Sequence, residues 1–202
     1  MKMDKLAGFA QAAPMKTLLA LLLLTAAPVL AQPVAAPEAP QTRLRKPDVA
    51  FEPTPHDKVR QMLALAGVKA GDVVYDLGSG DGRIPIAAVR EFGAARGVGL
   101  DLNPKLVERA RGNAQAAGVA DKVSFRYADI FTADLSDATV VTLFLWPSVN
   151  DRLQPKLKKE LKPGTRVVSY WHDMTGWQPD RVISGGLIGG KIYLWTIPER
   201  AP

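Results

Sequence analysis

The sequence predicts an α/β domain: a mostly parallel sheet with helices on both faces, closing in an antiparallel terminal hairpin. Three observations carry this. From residue 54 onward, strand-like apolar runs alternate with amphipathic helical ones. The first apolar run ends in a glycine-punctuated turn, Asp76-Leu77-Gly78-Ser79-Gly80-Asp81-Gly82-Arg83. The last two runs, Arg181 to Ser184 and Lys191 to Ile197, are parted by glycines as in a hairpin.

The elements follow in order. Thr54 is placed to cap a helix from Pro55 to about Ala66, with Pro55 at its first position and Gly67 as its stop. Its stripe of Val59, Met62, Leu63 and Ala66 should pack on the sheet. Asp72 to Leu77 is the first strand, followed by a helix from about Gly82 to Phe92 that tolerates Pro85 in its first turn. Ala95 to Asp101, a helix from Pro104 to Ala117, and Lys122 to Tyr127 come next. Thr139 to Leu145 is almost wholly apolar and β-branched, as a strand buried on both faces requires. Pro147 to Leu161 reads as a helix interrupted at Pro155, and Arg166 to Trp171 as a fifth strand.

The first fifty of the 202 residues differ from the rest. Met15-Lys16-Thr17, the apolar run Leu18 to Ala27 and Val29-Leu30-Ala31 read as a signal peptide over residues 1–31, cleaved after Ala31, or else as an N-terminal membrane segment. The run is short for a span, which takes roughly 20 apolar residues. Residues 32–50 form a Pro/Ala-rich linker, in which Arg43, Arg45 and Lys46 either touch anionic lipid or keep the linker soluble, and residues 51–202 form a single domain. Net charge is +6, of which Lys2, Lys5, Lys16 and Asp4 of the leader account for +2, so the domain is mildly basic and no nucleic-acid partner is expected. There are no cysteines and only two histidines, His56 and His172, so no metal site is expected.

The turn after the first strand carries the chemistry. Alternation of Gly78, Gly80 and Gly82 lets the backbone approach a ligand where a Cβ would collide. A phosphate-cradling loop would end in Gly-Lys-Ser/Thr, and a dinucleotide fingerprint would put two residues between its second and third glycines; only Asp81 stands here. Asp76 and Asp81 would repel a pyrophosphate and suit a cationic ligand such as S-adenosylmethionine (SAM), with its amino group and sulfonium. Asp101 ends the second strand about twenty residues on, where a ribose-binding carboxylate belongs. Asn103 can then cap the following helix. Asp129 ends the third strand, placed to accept from an adenine amino group while Ile130 covers the ring. Thr54, Ser79, Asn103 and Phe144 complete the expected cofactor contacts.

These residues resemble the class I SAM-dependent methyltransferases, which carry this glycine motif and these acids after successive strands. The closer likeness is to the small archaeal broad-specificity protein-lysine methyltransferases and the mitochondrial FAM173-type lysine methyltransferases. It rests on Pro53-Thr54-Pro55, the turn itself, Gly99-Leu100-Asp101-Leu102-Asn103-Pro104, the run Asp137 to Leu145, Lys156 to Ser169, and Gly176-Trp177, and covers about residues 51 to 198. The resemblance implies a Rossmann-like, seven-stranded sheet with an antiparallel last strand, SAM as cofactor and a protein lysine as methyl acceptor.

The acceptor should meet the cofactor outside the fourth strand, at Phe144-Leu145-Trp146-Pro147-Ser148. The Asn/Asp-Pro-Pro-aromatic tetrad usual in enzymes that methylate base or glutamine nitrogens is absent there. Trp146, Tyr170 and Trp177 are expected around the acceptor channel, since aromatic faces attract a cationic side chain. His172 could take a proton through water. Either Tyr170 or Trp171 should belong to the core, and Trp177 could equally be a turn residue folded onto the surface. Two other readings use the same pocket: an exported SAM- or adenosine-binding protein without catalysis, and a small-molecule methyltransferase. A monomer is expected. The leader predicts export to the periplasm or membrane association, which conflicts with a cytoplasmic supply of SAM.

Overall fold

The computed structural model describes residues 44–47, 51–184 and 190–199. They belong to one compact unit, Thr42–Pro202. The expected signal peptide and most of the expected linker lie outside the described residues. No helix among the described residues is long and apolar enough to cross a membrane.

Four helices and seven strands alternate as α1 (His56–Leu65), β1 (Val73–Leu77), α2 (Arg83–Phe92), β2 (Arg96–Asp101), α3 (Pro104–Ala116), β3 (Val123–Tyr127), β4 (Val140–Leu143), α4 (Pro147–Glu160), β5 (Arg166–Tyr170), β6 (Arg181–Ser184) and β7 (Lys191–Thr196). They form one sheet in the order β3-β2-β1-β4-β5-β7-β6. The first five strands pair in parallel, and β7 runs antiparallel to both β5 and β6. The seven-stranded architecture with a reversed β7 is therefore the one expected. Strand order reverses between β1 and β4, which opens a crevice at their carboxyl ends.

Alternation along the strands divides the core in two. On one face Val74, Val140, Val168 and Ile192 pack against Val59 and Met62 of α1, Ala88 of α2 and Ala110 of α3. On the other, Tyr75, Leu77, Val141, Leu143 and Val167 pack against Val149, Leu153 and Leu157 of α4, with Trp195. Every residue of β4 is buried, as its composition requires of the sheet's centre.

Two local expectations are corrected. Thr54 does not cap α1: the helix starts at His56 with Pro55 as its N-cap and no side-chain cap, so Thr54 stands one residue too early. Thr54 is instead buried, and its carbonyl accepts from Arg83 Nη1 at 2.8 Å. The interruption at Pro155 is also absent, since α4 runs through it. Pro155 is exposed while Leu153 and Leu157 on either side are fully buried, so packing on the sheet carries the helix past the missing amide. β4 is shorter than expected because Phe144 and Leu145 leave the ladder to line the crevice.

At the opposite end of the sheet, Asp72 joins three segments. Its carboxylate accepts from Lys69 N at 2.8 Å, from Thr139 Oγ1 at 2.8 Å, and from Arg166, whose Nη1 also reaches the Ala66 and Gly67 carbonyls. Burial works to raise its pKa, but these hydrogen bonds and the Arg166 charge hold it below the ordinary value of 3.8. A carboxylate with a depressed folded pKa contributes stability above its unfolded pKa and loses it as pH falls through the folded one. Asp72→Asn should lower unfolding free energy by about 1 to 3 kcal/mol at pH 7, read from urea denaturation midpoints. An unchanged midpoint would show that Asp72 is incidental.

Candidate active site

The crevice beyond β1, β2 and β4 is a cleft of about 670 Å³, counted to its open mouth, whose walls include Gly78, Asp101, Asn103, Ile130, Phe144 and Leu145. It adjoins a recess of about 310 Å³ lined by Thr54, Asp76, Ser79, Asp81 and Arg83. Phe51, Glu52, Gly78 and Phe144 are common to both.

The turn takes its shape from Gly78, Gly80 and Gly82, with φ of 83°, 54° and 82°. At Gly80 a Cβ would lie 2.1 Å from the Phe51 ring, and at Gly82, the N-cap of α2, 2.4 Å from the Phe125 ring. Both therefore meet two demands that only glycine satisfies, a left-handed backbone and a close neighbour. The turn is tied to the end of β2. The amides of Gly78 and Ser79 donate to the Leu100 carbonyl at 2.8 and 3.0 Å, and the amide of Gly80 donates to Asp101 Oδ2 at 2.8 Å. Asp101 Oδ1 accepts from the Asn103 amide at 2.8 Å, and Asn103 in turn caps α3 by accepting from Lys105 N. Burial raises the Asp101 pKa against the opposing hydrogen bonds from Asn103, Gly80 and Leu102.

Asp76 is 3% exposed, and Thr142 Oγ1 donates to it at 2.6 Å. Burial pushes its carboxyl up to about 7, against the Thr142 hydrogen bond and with help from the charges of Asp101 and Asp81. Asp81 differs, although it lines the same recess. Arg83 holds both its oxygens, Nε to Oδ1 at 2.9 Å and Nη2 to Oδ2 at 2.6 Å. Burial raises its pKa, and the Arg83 hydrogen bonds and charge more than reverse that. Its charge is thus met within the protein. Ser79 Oγ is buried without a hydrogen-bond partner among the described residues.

Asp129 sits beneath Arg45, whose Nε and Nη2 donate to its two oxygens at 2.6 and 3.2 Å, while the Phe131 amide donates to Oδ1 at 3.0 Å. Burial raises its pKa, and these partners outweigh burial. Neither Asp129, Gly80 nor Gly82 lines the cleft, and Gly80 and Gly82 act by shaping the turn. Ile130, buried beside Asp129, does line it.

Of the expected channel residues, three gather at the carboxyl ends of β4 and β5. Tyr170 is buried with its ring 4.9 Å from that of Phe144. Trp146, the N-cap of α4, is 62% exposed and stacks on His172 at 6.3 Å. Burial lowers the His172 pKa, opposed by Asp173, so its imidazole favours the neutral form. Trp177 stands apart from these three. It packs on Trp195 at 5.7 Å, accepts from Trp195 Nε1 through its carbonyl at 2.8 Å, and lies beneath Lys158, 4.6 Å from its ring centroid. Its turn folds onto the α4 face of the sheet because Trp195 offers a fully buried ring there. Like Trp146, Tyr170 and His172, it lines neither cavity.

Sequence reasoning missed Arg45, Pro47, Phe51 and Glu52, which form one wall of the cleft. Leu44 N donates to Tyr127 Oη at 2.9 Å, so this segment, read as the end of a linker, packs on the domain. Phe51 and Glu52 adjoin the Pro-Thr-Pro segment that carries part of the resemblance and could have been found beside it. Arg45 had no signal, being 84 residues from Asp129.

Comparison with known proteins meets this geometry. The ANTKMT methyltransferase domain matches residues 76–181. A protein-lysine N-methyltransferase of Saccharolobus islandicus (strain REY15A) is 45% identical over 155 residues, which are 76% of this chain and 96% of that one. The adenine nucleotide translocase lysine N-methyltransferase of Mus musculus is 41% identical over 72% of this chain, which spans only 62% of the mouse protein. The crystal structure of an RNA methyltransferase from Salinibacter ruber in complex with S-adenosyl-L-homocysteine superimposes with a TM-score of 0.71 at 57% identity, covering 75% of this chain and 97% of that one. The residues fit such a cofactor: Asp76 is a buried acid that no cation of the protein meets at hydrogen-bond distance among the described residues, and Ser79 Oγ has an unused polar atom. The chain belongs to the ANTKMT methyltransferase domain family and is a SAM-dependent methyltransferase of the class I, Rossmann-like fold.

Proposed function

We propose that the methyl acceptor is a protein lysine side chain, and that the enzyme is a protein-lysine N-methyltransferase. The observation that carries this is the aromatic cluster at the ends of β4 and β5. Phe144, Trp146, Tyr170 and His172 make it up, and it lacks the polar tetrad that would hold the amide-like nitrogen of a base or glutamine. The archaeal and mouse relatives, named as lysine methyltransferases, support the same acceptor.

When bound, SAM supplies a methyl group on a positively charged sulfur. The chain's task is to position, to desolvate and to leave the acceptor nitrogen neutral. Asp101 faces the cleft with a carboxylate already oriented by two amides, and would hold the ribose hydroxyls. Asp76 would meet the cofactor's ammonium in the recess. Phe144 lines the cleft with Tyr170 packed behind it, and would exclude water from the transfer position. A lysine amine has a pKa near 10.4, so fewer than about one in a thousand is neutral at pH 7. Burial of the amine beside a sulfonium would disfavour the ammonium form. The proton would pass to water, and through water His172 could take it.

Incubation of the full chain with methyl-labelled SAM, a lysine-rich protein and total RNA in one vessel tests this reading. Label recovered as methyllysine is the expected outcome, and label confined to RNA would contradict it. The RNA arm matters because the Salinibacter relative is described as an RNA methyltransferase. Asp101→Ala should weaken SAM binding by about 1 to 3 kcal/mol in isothermal titration. An unchanged dissociation constant would remove Asp101 from the ribose site.

A further inference from the structure

Trp171 has no part in the scheme so far, yet it is the one non-glycine residue with positive φ among the described residues, at 72°. A bulky side chain in the left-handed region is a genuine backbone outlier. The residue is also 47% exposed. Stability would be better served at this position by glycine or asparagine, which adopt this conformation at lower cost and leave no indole in water. The structure nevertheless holds Trp171 firmly. Its amide donates to the Lys191 carbonyl at 2.7 Å. Its ring lies where a Cβ on Gly190 would come within 2.4 Å of it, so the backbone opposite has been kept bare for the indole.

The place to which this strain delivers the ring is informative. Trp171 meets Tyr170 edge to face at 5.7 Å, and Tyr170 meets Phe144 of the cleft wall at 4.9 Å. A continuous line of rings therefore runs from the cofactor cleft to the surface. The next residue, His172, stacks on exposed Trp146. Several acids lie nearby, together with Lys191, whose carbonyl Trp171 bonds. Glu52 and Asp57 lie close enough to Tyr170 to raise its pKa further after burial has done so, and Asp173 acts on His172. Lys58 lies 3.4 Å from Asp57, while Glu52, on the cleft wall, and Asp173 are both exposed. Exposed indoles beside carboxylates complement a cationic, partly apolar polypeptide and repel a polyanion.

We infer that Trp171, with Trp146, is a specificity-determining platform at the cleft mouth that binds the residues flanking the acceptor lysine, selecting polypeptide segments in which apolar and basic residues neighbour it. This rests on the lysine reading above. Trp171 is a docking residue and not a catalytic one, since it touches no reacting atom; binding the flanks would increase the time the lysine spends aligned.

Two synthetic peptides test it on the full chain, one with its single lysine between phenylalanine and arginine, the other with its lysine between glutamates. The wild type should methylate the first at the lower KM. Trp171→Gly should raise that KM by about tenfold and leave kcat within about threefold, because uniform binding has been removed. The same variant should keep the SAM dissociation constant, and its melting temperature should hold or rise as the strained backbone relaxes. Trp171→Phe should restore most of the KM. An unchanged KM in Trp171→Gly, or a KM that worsens only together with SAM affinity and melting temperature, would overturn the platform while leaving the lysine reading intact. Failure of the wild type to methylate either peptide or the lysine-rich protein, with label passing to RNA, would overturn both.

Discussion

A carboxyl group buried at the end of β1 is the constraint on which the site depends. Asp76 is taken out of water beside two further acids, Asp81 and Asp101. An isolated carboxylate in such a place is costly, and it either neutralises itself or finds a cation. The protein resolves the three acids differently. Asp81 is matched by Arg83, and Asp101 is matched by the amides of the turn and of Asn103. Asp76 has one hydroxyl, Thr142, and keeps a raised pKa. It alone is left needing positive charge, at the place where the backbone of the glycine turn opens onto the cleft.

The fold exists to hold that arrangement still. Parallel register fixes Asp76 opposite Gly99 on β2 and Thr142 on β4, so the hydroxyl that meets the carboxyl is set by strand pairing. The turn cannot drift from β2, because three successive amides are bonded to Leu100 and Asp101. At the far end, Asp72, Thr139 and Arg166 join β1, β4 and β5. The sheet is thus clasped at both ends. Chemistry is confined to the end where the helices leave a crevice and aromatic rings stand over it.

Much of this was legible in the sequence because it is local or periodic. Strand ends, the glycine turn and the acids at positions 76 and 101 depend on spacing within one βα unit, and the buried β4 is visible as an unbroken apolar run. What was hidden depends on residues far apart. Arg45 reaches Asp129 across 84 positions, and nothing in a Pro-rich segment marks which of its arginines will fold back. Trp177 was open to two readings because a turn's side chain goes where a partner awaits it, and Trp195 is 18 residues on. Pro155 misled for the opposite reason. A local rule against mid-helix proline was overridden by the packing of Leu153 and Leu157.

The linkage follows from the sign of the Asp76 shift. Between the unfolded value near 3.8 and the folded value of about 7, the unliganded fold binds an extra proton, so its stability falls as pH rises through that window. A cationic ligand requires the ionised form, so its affinity rises over the same window. Titration of SAM into the full chain at pH 6.5, in buffers of different ionisation enthalpy, counts the protons that leave on binding. Release of about three-quarters of a proton per SAM, abolished in Asp76→Asn, is the result predicted for a buried acid that receives the cofactor's charge. Binding with no proton release by the wild-type chain would contradict it.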